Sequence, residues 1–111
     1  MSDGWKSVRL SEIEPVTVAG PAWEWSFYAE RFRPSEDWDS AIAYLEKGLE
    51  RFPDNESVLY ALGCYEALDG RSEAALAHVQ RAVGLRPSTA TWAQEDGDLA
   101  SIRELPGFPS A

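Results

Sequence analysis

Two side chains in this 111-residue chain most readily suit chemistry at neutral pH: one histidine, His78, and one cysteine, Cys64. His78 sits in "AALAHVQRAV", beside Ala77 and near Gln80, an outward or edge position on an amphipathic helix. Cys64 sits in "ALGCYEAL", where no base or cationic residue is spaced to lower its pKa. The acidic pairs Glu36-Asp37 and Asp96/Asp98 fall where helices begin, so compensation of the helix dipole accounts for them. No second histidine or cysteine stands at ligand spacing, so no metal site, cofactor or catalytic set is expected. The chain reads as a non-enzyme.

Composition narrows the partners. Nineteen acidic and ten basic residues give a formal charge of −9, which argues against nucleic acid and anionic membrane. No apolar run is long enough to span a bilayer, and "MSDGWKSVRL" has no secretory core, so a cytoplasmic location is expected. A single cysteine cannot form an internal disulfide. Five tryptophans exceed the usual share at this length and must be buried or form an adhesive surface.

The elements that hold these residues repeat. "PAWEWSFYAERFRPSEDWDSAIAYLEKGLERFPDN" aligns with "ESVLYALGCYEALDGRSEAALAHVQRAVGLRPST" at an offset of 34: Ala29 with Gly63, Ala41 with Ala75, Leu45 with Val79, Gly48 with Ala82, Pro53 with Pro87. Trp25 and Leu59 are large where a gap between paired helices needs filling, and the small residues fall where helices cross closely. The prolines end the second helix of each unit. Caps are expected from Ser35 for a helix over 36–51, Asp54 or Asn55 for 56–68, and Ser72 for 73–85. Gly70 is a left-handed stop. Two departures stand out: Glu66 replaces the aromatic Phe32, with Tyr65 one place earlier, and Gly48 should cost about 1 kcal/mol inside a helix.

These residues at this period resemble the tetratricopeptide repeat, a helix–turn–helix unit. The fold expected is all-α: two repeats, 21–54 and 55–87, in a right-handed superhelix, then a partial repeat and cap over 88–111. In that tail Trp92 and Ala93 start another first helix, with Gly97 at 34 residues beyond Gly63. Asp98 is expected to cap a short helix, 99–105, whose Leu99, Ile102 and Leu105 share a face that Phe108 folds onto. Residues 1–20 read as an extended arm. The alternation in "SVRLSEIEPVTV" is that of an edge strand interrupted by Pro15, with no partner strand in the chain.

The resemblance implies a concave groove lined by the first helices: Trp23, Ser26, Glu30 and Arg33 from one repeat, Ser57, Tyr60, Cys64 and Ala67 from the next. It carries no lysine–asparagine set for a terminal carboxylate and suits an apolar or aromatic segment. The expected role is a protein- or peptide-binding scaffold that self-associates as a homodimer, since two repeats are near the minimum for a stable stack. "GWKSVRLSEIEPV" also resembles the opening of bacterial proteins that place a cupin barrel before a short tetratricopeptide tail. The barrel is absent and there is no His-x-His pair, so no cupin metal site transfers. That resemblance implies an alternative role, an accessory or regulatory tail acting with a cupin-type barrel protein.

Overall fold

The computed structural model describes residues 22–111. The expected arm, residues 1–20, therefore lies outside the described residues. Among those described, five α-helices and two 3₁₀ segments occur and no strand. None of the helices is long and apolar enough to cross a membrane.

The first hairpin pairs α1 (Trp23–Ala29), extended by a 3₁₀ turn over Glu30–Phe32, with α2 (Trp38–Arg51). The cap of α2 is Asp37, whose carboxylate accepts from the Ser40 amide at 3.3 Å, and not Ser35. The chain passes through Glu36 with φ 55°, so the helix starts later than 36 and the Ser35 hydroxyl turns back to the Phe32 carbonyl. The second hairpin pairs α3 (Glu56–Leu68) with α4 (Ser72–Leu85). Asn55 caps α3, accepting from the amides of Ser57 and Val58 at 2.9 and 3.1 Å, while Asp54 turns outward to Arg81.

Gly70, at φ 84°, ends α3 with the amides of Gly70 and Arg71 bonded to the carbonyls of Ala67 and Glu66, a Schellman closure. That closure delivers the chain directly into α4. Ser72 is already helical and Arg71 holds the cap position without a side-chain bond, so the expected Ser72 cap does not form.

α5 (Thr89–Glu95) and a 3₁₀ helix over Gly97–Ile102 close the fold. The short helix expected over 99–105 with an Asp98 cap is instead this earlier, tighter turn. Asp96 caps it by accepting from the Asp98 amide at 3.0 Å, because the Asp98 carboxylate is drawn to another partner described below. Leu99 and Ile102 are fully buried against Ala75, Val79 and Ala93, and Leu105 and Phe108 pack on the same cluster. They cover the last hairpin, whose apolar face would otherwise meet water.

α3 lies at the centre. Its Val58, Leu62 and Tyr65 join Trp25, Ala29, Ile42 and Leu45 in one cluster, and its Cys64 and Ala67 join the C-terminal cluster. A helix buried on several faces cannot show a single apolar stripe, which is why α3 is apolar nearly all round. The glycine at 48 has a packing cause. A Cβ there would stand 2.8–2.9 Å from the buried Trp25 indole, so the helix-propensity cost is the condition for seating Trp25.

Candidate functional site: a groove between the repeats and the cap

Three elements face one another across a cavity of about 630 Å³. From α1 and its 3₁₀ extension come Trp23, Ser26 and Glu30, spaced to share one helical face, with Arg33 just beyond. From α3 come Ser57, Tyr60 and Cys64 at the same spacing. The two stripes meet where the hydroxyls of Ser26 and Ser57 lie 3.3 Å apart. The third wall is the C-terminal piece, with Trp92 from α5 and Asp96 and Asp98 from the following turn.

Of the groove residues expected from the sequence, Ala67 alone lies elsewhere. It is next in the α3 stripe, but the 3₁₀ helix sits on the last turn of α3. Ser101 donates to the Ala67 carbonyl at 3.3 Å, and the Ala67 side chain is buried with Leu99 and Ile102. Residues missed at the sequence level include Trp92, Asp96, Asp98, Glu56 and Arg86. Asp98 had a signal: it stands 34 residues after Cys64, itself 34 after Glu30, so extending the period once more reaches it. Trp92 and Asp96 stand at no such position.

Polar contacts lock the walls together. Arg33 holds Asp98 through two parallel bonds of 3.1 and 2.8 Å, binds Glu30 at 2.9 Å through Nε, and lies over the Tyr65 ring at 5.1 Å. A bidentate pair between residues 65 apart fixes the cap against the first repeat. The Asp98 bond keeps the guanidinium firmly protonated, raising its pKa above the ordinary arginine value. The Tyr60 hydroxyl donates to Asp96 at 2.7 Å, and the Cys64 thiol points at the same carboxylate oxygen at 3.7 Å. Arg103 also reaches back to the carbonyls of Ala93 and Asp96, holding the chain that carries Asp96. Asp96 and Asp98 thus do more than offset a helix dipole; they bind the groove walls.

The same geometry sets the chemistry. Burial, then the charge of Asp96, pushes the Cys64 thiol well above the ordinary cysteine value, and burial with the Asp96 bond does the same for the Tyr60 phenol. Burial, then the charge of Glu30, pushes Tyr65 up to about 12. A protonated thiol is a poor nucleophile and a poor metal ligand. Cys64, Asp96 and Asp98 bring three possible ligand atoms within 4.8 Å of one another. Asp98 is engaged by Arg33, and Asp96 by Tyr60 and Cys64, so a cation would have to displace these partners. What the groove offers instead is contact surface. Trp23 and Trp92 line it and remain 54% and 60% exposed, well above the buried aromatics of the core.

His78 lies outside this groove, and it is held more firmly than an edge position implies. Its Nδ1 is 2.6 Å from Oε1 of Glu66, whose side chain is buried. The groove charges are unbalanced: Glu30, Glu56, Asp96 and Asp98 face Arg33 and Arg86.

In comparison with known families, residues 22–63 fit the family model of the tetratricopeptide repeat. No curated protein and no solved structure matches the chain.

Proposed function

We propose that this tetratricopeptide-repeat chain is a non-enzymatic interaction module that receives an extended peptide segment of a partner protein in the groove between α1, α3 and α5. Tetratricopeptide repeats generally mediate protein–protein contact. The observation that carries the reading is the pair of exposed tryptophans, Trp23 and Trp92, lining a groove whose polar atoms are largely engaged with one another. Indole faces contribute contact area at low conformational cost, and the engaged acids keep the walls rigid. With four carboxylates against two guanidiniums, the groove favours a segment that combines apolar or aromatic residues with lysine or arginine. A terminal carboxylate has little to bind, because Arg33 is already held by two acids.

A displayed peptide library selected on the immobilised protein tests this. Enrichment of aromatic–basic segments, lost on Trp92→Ala and indifferent to a free C-terminus, is expected. Enrichment of acidic C-terminal tails, or binding unaffected by Trp92→Ala, would refute it.

Self-association is supported by a different surface. Phe27, 65% exposed, stacks edge-on with Trp23 and Tyr28 on the outside of α1, and Phe27 and Tyr28 do not line the groove. An uncovered aromatic face on the first helix of a two-repeat stack is the natural seat of a dimer. Light scattering at micromolar concentration should show a dimer that Phe27→Ser converts to monomer; a monomeric parent chain removes this reading.

A further inference from the structure

We infer that residues 5–10 of this chain, Trp-Lys-Ser-Val-Arg-Leu, occupy the groove of their own molecule and must leave before a partner segment enters. This rests on the groove being a peptide-receiving surface, as proposed above.

Three features of the chain select this occupant. The first concerns where the preceding chain begins. Ala22, to which residues 1–21 are joined, itself lines the cavity. Gly20 and Pro21, residue types that favour chain reversal, stand immediately before it. The twelve residues from 10 to 22 span up to about 40 Å when extended, ample for a return along a groove of this size.

The second is charge. The groove presents Glu30, Glu56, Asp96 and Asp98 against Arg33 and Arg86. Residues 5–10 carry Lys6 and Arg9 and no acid, whereas the remainder of 1–21 carries Asp3, Glu12 and Glu14 and no base. The complementary charges are thus confined to one short stretch.

The third is apolar content. That stretch also carries Trp5, Val8 and Leu10, the aromatic–basic mixture the groove favours, and Trp23 and Trp92 are exposed along it. A tethered segment binds at an effective concentration near the millimolar range, so modest contacts hold it in place.

The test uses the whole 111-residue chain. A nitroxide is attached at Ser11→Cys in a Cys64→Ser background, and the indole N–H signals of Trp23 and Trp92 are compared with the label oxidised and reduced. Both signals should broaden when the labelled chain is the one observed. They should not broaden when an unlabelled chain is observed in a mixture with labelled ones. Lys6→Glu with Arg9→Glu should abolish the broadening. It should also raise affinity for a selected aromatic–basic peptide about tenfold, the gain expected if the arm fills the groove nine-tenths of the time. Broadening only in the mixture assigns the groove to a second copy and overturns the proposal. No broadening, while the peptide still binds through Trp92, overturns it and leaves the binding module standing. No broadening and no peptide binding removes both.

Discussion

The two hairpins place equivalent residues at equivalent positions and fill them by opposite means. In the first, a tryptophan at 25 faces a glycine at 48; in the second, Leu59 and Ala82 hold those places. Further along, Phe32 meets Tyr44 edge-on at 6.3 Å between centroids. The positions 34 residues later are Glu66 and His78, joined by a bond of 2.6 Å. The departure at Glu66 is therefore half of a paired exchange: an aromatic pair has been replaced by a hydrogen-bonded pair at both ends at once. At both pairs of positions the residues at the two ends differ together between the hairpins, so each hairpin carries a pair that fits itself.

The sharpest way to break the comparison is to remove the large residue from each hairpin. Trp25→Ala should destabilise by about 3–5 kcal/mol and Leu59→Ala by about 2–5 kcal/mol, read from denaturant midpoints. The tryptophan variant should fall at the upper end, since it leaves the larger void beside a glycine. Equal losses would mean that the site collapses around Gly48.

Cutting the polar pair comes next. Glu66→Ala should cost about 1–3 kcal/mol, because it leaves the His78 nitrogen without its partner. The double change Glu66→Phe with His78→Tyr, which copies the first hairpin, should recover part of that loss in thermal melts. No recovery would show that the two pairs are not interchangeable.

Gly48→Ala should destabilise by about 1–3 kcal/mol through its clash with the indole. In a Trp25→Leu background, which resembles the second hairpin, the same change should turn neutral or stabilising, and that sign reversal is measurable as a coupling. Gly63→Ala has no comparable remedy, since its Cβ would meet the Ala75 carbonyl as well as Val79.

The smallest effect lies on the groove side. Tyr65, pushed up to about 12, keeps its proton in the folded state after it would ionise in the unfolded chain near 10. Its contribution is complete below about pH 10 and declines as pH rises toward 12. Tyr65→Phe should flatten the alkaline limb of the stability–pH curve over that interval.

Much of this was legible in the sequence because its causes are local or periodic. Asn55 and Gly70 announce a helix start and stop through their own backbone preferences. Seven groove residues line one wall or the other because helical spacing puts them there. Where reading along the chain failed, either the backbone geometry of a turn or a distant partner was decisive. Ser35 and Ser72 look like caps, but the turn geometry at Glu36 and the Schellman closure at Gly70 leave them no amide to accept from. Asp98 looks like a cap until Arg33, 65 residues away, takes its carboxylate and Asp96 inherits the role.

The period of 34, the sizes of the residues on it and the turn chemistry between helices determined by themselves that this chain forms stacked helical hairpins, because each depends on neighbours within a few turns. Only the tertiary structure decided that the C-terminal piece is a wall of the groove as well as a cap. It also decided that Trp92 faces the same space as Trp23, and that a glycine which weakens its helix makes room for the core's tryptophan. Those facts arise from contacts between residues far apart in the chain, where periodicity carries no information and packing alone selects the partner.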